Sequence, residues 1–100
     1  MEYAFTEVDG KDGILLSGRF TYDDSQKFHE MLAGWTFTEK PDVPLDLRYL
    51  MFLDSAAIGM LFVLANRCRE HQGSVTVLNA QPYIVQTMRR VSLDTYVFIR

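Results

Sequence analysis

The apolar positions change their period several times along the chain, and each change marks an element. Tyr3 to Val8 alternates, with Tyr3 and Phe5 on one side and Ala4, Thr6 and Val8 on the other, which predicts a short strand. Asp9-Gly10-Lys11-Asp12-Gly13 is turn chemistry, because its glycines can take positive φ. Ile14 to Phe20 reads as a second strand, joined to the first as a hairpin with a loop of about four or five residues. In TYDDSQKFHEMLAGW the period lengthens: Phe28, Met31, Leu32 and Trp35 have helical spacing. Asp23, Asp24 or Ser25 would cap that helix, and Gly34 would end it. Val43 to Leu50 alternates again and predicts a central strand, with Pro44 near its start where a missing N–H is tolerated. Ser74 to Asn79 is a β-branched strand of the buried kind. Gln81-Pro82 opens a third helix with Ile84, Val85, Met88 and Val91 on its apolar side. Tyr96 to Ile99 predicts a last strand. The order is β-β-α-β-α-β-α-β, an α/β domain with a small mixed sheet, an antiparallel edge hairpin and parallel neighbours after it.

The chain is organised around Leu50 to Gln72, LMFLDSAAIGMLFVLANRCREHQ. An apolar run ends at the polar hinge Asp54-Ser55, a helix start signal. Gly73 is the matching stop signal. A helix is expected over Ser55 to Gln72. At about 100° per residue, Ile58, Leu61, Phe62, Leu64, Ala65 and Cys68 share one side, the expected core face. Ala56, Gly59, Met60, Val63 and Arg67 fall on the other. That outer side is small and apolar for two turns, where a solvent face would carry Lys, Glu or Gln. Two readings follow: a helix buried on both sides, or an uncovered docking strip headed by the Ser55 hydroxyl.

Length and composition narrow the classes. One hundred residues with 48% apolar content make one domain spanning residues 1–100. The net charge is −3 and no Lys/Arg-rich run exists, so nucleic acid is not an expected partner. The single cysteine, Cys68, cannot form an internal disulfide and points to a reducing compartment. MEYAFTEVDG lacks the basic and apolar regions of a signal peptide, and no apolar stretch is long enough to insert in a membrane. A cytoplasmic location is expected.

Catalytic constellations are absent from the pattern. No G-x-S-x-G elbow surrounds Ser55. His71 lies sixteen residues further along the same helix, about 24 Å away, too far to serve as its base, and His29 lies on another helix, where the sequence leaves its distance open and offers nothing to support it as a base. Cys68 and His71 are three apart, but two ligands without a third make a poor metal site. Asp23 and Asp24 suit a helix start. Trp35 and the phenylalanines recur within apolar faces without interleaved basic residues, as core does. No cofactor motif is present, and no enzyme activity is expected.

LDSAAIGML resembles the D-S-[ST]-G-[LI]-G segment of STAS domains, the bacterial anti-sigma factor antagonists. Ala56 stands at the second Ser/Thr of that pattern and Ala57 at its first glycine; Gly59 keeps the second. The element order is also that of the STAS core, a small sheet with an antiparallel edge hairpin and helices packed mainly on one face, and VLNAQPYIVQTMRRVSLDTYVFI is similar to the family's closing strand, helix and short strand. Family members usually carry a further helix, which these 100 residues do not include. Where the family often has an acid near Thr21, the nearest acids are Asp23 and Asp24. The resemblance implies that Ser55 is the phosphoacceptor of a partner serine kinase, an anti-sigma factor of the GHKL type that uses its own ATP. A PP2C-type phosphatase would reverse the modification. Asp54, Ala56, Gly59, Met60, Val63 and Arg67 would form the partner-binding surface in signal transduction and transcription regulation. The other expectation is a STAS interaction module without phosphorylation, a transporter subunit or a signalling scaffold.

Overall fold

A computed structural model describes all 100 residues. The chain opens with an antiparallel hairpin of β1 (Glu2–Val8) and β2 (Lys11–Phe20). The connecting loop is shorter than expected: Val8 pairs with Lys11, so only Asp9 and Gly10 turn the chain. Both take left-handed backbone, φ 51° and 80°. That Asp-Gly geometry follows the twist of the strands and lets Lys11, Asp12 and Gly13 join β2.

A short 3₁₀ turn, Tyr22–Asp24, precedes α1 (Ser25–Gly34). Thr21 begins that turn with a capping box: its hydroxyl accepts from the Asp23 N–H at 3.3 Å, and its own N–H donates to Asp24 Oδ2 at 2.9 Å. Asp24, one of the expected caps, holds the N-cap position of α1 but gives that helix no side-chain bond; the Thr21 box fixes the turn before it. β3 (Asp42–Leu53) is the longest strand and the central one. α2 (Ser55–Glu70), β4 (Ser74–Leu78) and α3 (Pro82–Arg90) follow. Leu93–Thr95 forms another 3₁₀ turn, so the expected last strand contracts to β5 (Phe98–Ile99).

The sheet order is β1-β2-β3-β4-β5, antiparallel at the hairpin and parallel thereafter. β3 gains an extra residue against β2 at two points. Leu15 and Ser17 face Asp46 and Tyr49; Gly18 and Arg19 face Leu50 and Phe52. Each bulge resets the alternation. The buried positions of β3 thus step from Leu47 to Leu50 to Leu53, by three rather than two.

One apolar core joins the sheet to all three helices. Ile14, Leu16, Phe20, Leu45, Leu47 and Leu50 supply the strand side, and Phe28, Leu64, Ile84 and Met88 the helix side. No helix is long and apolar enough to cross a membrane. α2 closes on Gln72 in the left-handed region, φ 62°. Gly73 N–H then donates to Cys68 C=O at 2.7 Å and Gln72 N–H to Arg69 C=O at 2.9 Å, the paired bonds of a Schellman ending. Gly73 itself has no left-handed φ. It is glycine because a Cβ there would lie 2.0 Å from the Pro41 carbonyl oxygen.

Candidate functional site

β3 delivers the Asp54-Ser55 hinge to the edge of the core. Leu53 is buried, and Asp54 leaves the strand with extended backbone, φ −104° and ψ −177°. Asp54, not Ser55, caps α2. Its Oδ1 accepts from the Ala57 N–H at 2.8 Å, and its C=O accepts from the Ile58 N–H at 3.1 Å. The other carboxylate oxygen, Oδ2, accepts from the Tyr22 N–H at 3.0 Å. The Asp54 N–H donates to the Phe20 C=O at 3.2 Å. One residue therefore ties the end of β2, the turn before α1 and the start of α2 together.

Ser55 is the first helical residue and is exposed. Its hydroxyl makes no hydrogen bond within the chain, since the capping work falls to its neighbour. Tyr22 stands beside the hinge and is 69% exposed. The two nearby acids have separate environments. Asp23 is exposed. Asp24 is partly buried and accepts from the Met1 ammonium at 3.1 Å. Burial raises its carboxyl pKa, but the Thr21 N–H bond and the Met1 and Lys27 charges outweigh it, and the net value lies below the ordinary 3.8.

The outer side of α2 is only partly the strip that periodicity predicts. Gly59, Val63 and Arg67 are exposed and Ala56 is half-buried. Met60 is a correction: it is 8% exposed and belongs to the core. Phe62, expected inside, is half-buried and stands edge-on to Tyr96, with ring centroids 5.2 Å apart. The buried residues are Ala57, Ile58, Met60, Leu61, Leu64, Ala65 and Cys68. Their arc is turned by about 40° from the expected one, less than half a residue step. A boundary residue on each side changes place, and the middle of the strip stays uncovered. Arg67 makes no ion pair and lines a shallow depression between α1 and α2 with His29, Leu32 and Ala33.

Cys68 and His71 do not converge. Burial pushes the Cys68 thiol up to about 11, so it stays protonated and inert at neutral pH. His71 is exposed and stacks on Phe37 at 5.3 Å. Thr21 and Tyr22 are the hinge neighbours that periodicity does not single out. The signal for them is T-Y-D-D, a hydroxyl followed three residues later by a side-chain acceptor, the spacing of a capping box.

A family model described as "Mlab, STAS domain" matches residues 4–100. A STAS-domain containing protein of Pseudomonas aeruginosa (strain UCBPP-PA14) is 29% identical over 85 residues, 81% of this chain and 83% of that protein. Among solved structures, the anti-sigma factor antagonist SpoIIAA in its unphosphorylated form superposes with a TM-score of 0.67. It shares 17% identity, covering 99% of this chain and 87% of that one, and so shares the fold.

Proposed function

The chain belongs to the STAS domain family, and from that premise we propose that it is a regulatory protein-binding module, an anti-sigma factor antagonist switched by phosphorylation of Ser55. The observation that carries this reading is the division of labour at the hinge. Asp54 holds the helix start, so Ser55 is exposed and its hydroxyl is not needed for the fold.

The partner would be an anti-sigma factor with a GHKL-type serine kinase fold. Ser55 Oγ takes the γ-phosphoryl group of ATP, its proton passes to a base on the kinase, and ADP leaves. A PP2C-type phosphatase would hydrolyse the ester. The protein is then substrate and ligand rather than enzyme, and works in the cytoplasm. A phosphoryl group at Ser55 meets the first-turn N–H groups of Ser55 and Ala56, which have no helical partner, and the positive end of the helix dipole. Asp54 opposes it as a like charge next door. The net effect is a large local change in charge with little change in fold. A dianion beside Ala56, Gly59 and Val63 makes that strip costly to desolvate against a partner, with Arg67 as its polar far edge.

Incubation with the candidate kinase and ATP, followed by mapping of the modified residue, tests the switch. Phosphate is expected on Ser55. An unmodified Ser55 in the presence of an active kinase that binds the protein would overturn the reading. Ser55→Asp should abolish partner binding while Ser55→Ala retains it. Equal binding by both would instead identify a constitutive interaction module.

A further inference from the structure

A different feature, independent of Ser55, carries an inference about self-association. β1 is an edge strand, paired on one side only, from Glu2 with Ser17 to Val8 with Lys11 without a bulge. It contains no proline and no lysine, the residues that commonly blunt such an edge. The opposite edge, β5, has only two residues to offer.

The tight turn settles which backbone groups face outward. In a two-residue hairpin the flanking residues, Val8 and Lys11, are a hydrogen-bonded pair. Bonded and non-bonded pairs then alternate along an antiparallel ladder. Thr6, Ala4 and Glu2 therefore turn their N–H and C=O groups toward β2. Glu7, Phe5 and Tyr3 turn theirs away from the sheet.

We propose that two copies of this chain pair antiparallel through β1 about a twofold axis at Phe5, forming one continuous sheet. In that register Phe5 faces Phe5 of the second copy, and Tyr3 faces Glu7 of the second copy. These are the residues with outward backbone groups, so every outward N–H and C=O finds a partner. The side chains fit as well. Tyr3, Phe5 and Glu7 lie on the helix-covered face, opposite Leu16, Ile14 and Asp12. The Tyr3 hydroxyl thus meets a Glu7 carboxylate across the seam. Glu2 faces Val8 and Ala4 faces Thr6 on the open face, so no two carboxylates stand opposite each other across the seam. Phe5 is 48% exposed and rests edge-on against Trp35 at 5.4 Å. Two such aromatic pairs would close over one another at the axis. Complementarity of the strand with its own reverse favours a second copy over a foreign strand, because a twofold contact uses the same patch on both chains.

Sedimentation equilibrium on the purified protein tests this. A monomer–dimer equilibrium is expected in the micromolar range. Phe5→Lys places two cations face to face, and Glu7→Pro removes an outward N–H while sparing the β1–β2 ladder. Each should raise the dimer dissociation constant about tenfold or more, ~1.4 kcal/mol or above. Circular dichroism checks that both stay folded. A cross-link reads the register even if Phe5→Lys fails to fold. Directly opposed residues of a bonded pair have Cα atoms about 5.5 Å apart, within disulfide reach. Mild oxidation should therefore join Phe5→Cys chains into a dimer but leave Thr6→Cys chains single, with Cys68 protected by burial. A protein that stays monomeric throughout overturns the proposal. So does a dimer that is indifferent to both edge substitutions, or Thr6→Cys linking as readily as Phe5→Cys.

Discussion

Asp54 shows how much of a fold one side chain can hold. Its two carboxylate oxygens accept from Ala57 and Tyr22, on two different elements. Asp54→Ala leaves the Ala57 donor without its cap and frees the turn before α1. The expected loss is about 1–2 kcal/mol of stability, read from urea unfolding. A loss well under half of that would mean that water replaces the carboxylate at both donors. Asp24 makes a prediction of its own. Its folded-state carboxyl titrates below 3.8, the ordinary value. The stabilisation is therefore complete above the unfolded value and disappears as pH falls through the lower folded one. Thermal melts below pH 4 should show the wild type losing stability more steeply than Asp24→Asn; parallel profiles would remove Asp24 from the acid response. Ser55 as a helix-start residue was legible from the Asp-Ser pair followed by helix formers. Which of the two would cap was not. Either side chain can accept the same N–H, and the Tyr22 donor that favours Asp54 comes from a distant turn.

At the scale of the element, α2 is a helix whose existence is plain in its sequence and whose rotation is not. Its first turns are apolar nearly all round, so the pattern cannot fix where the core arc ends. Tertiary packing places Met60 in the core and Phe62 at the margin beside Tyr96. Met60→Glu should therefore destabilise the fold by about 3 kcal/mol or more, since it buries a charge without a partner. Val63→Glu should change stability by no more than about 0.5 kcal/mol and weaken partner binding strongly. Chemical denaturation and a binding titration on the same two variants separate these effects. A large stability loss at Val63 would show that the strip is covered in solution. β3 has the same lesson in strand form. Val43, Leu45 and Leu47 follow period two, but Arg48-Tyr49 and Met51-Phe52 interrupt it. Those bulges are set by pairing with β2, which no single stretch of sequence encodes.

For the molecule as a whole, element order and layer arrangement were readable, because strands and helices alternate with clear changes of period. The ends of elements were less so. Tyr96 and Val97 have strand-forming side chains, yet the Leu93–Thr95 turn draws them out of the sheet: Tyr96 N–H donates to Leu93 C=O at 2.8 Å. Only Phe98 and Ile99 pair with β4. Native-state hydrogen exchange should find the strongest protection in β3, flanked by strands on both sides, and the weakest strand protection at β5. Equal protection of the two would mean that β5 is longer in solution than its two paired residues. The sheet also has its strands side by side in the order in which they are joined. No strand must be inserted between two earlier ones, so each newly made segment can lie down on an edge already in place. A ribosome releasing this chain could let the sheet grow sideways as translation proceeds, without waiting for the last residues to begin.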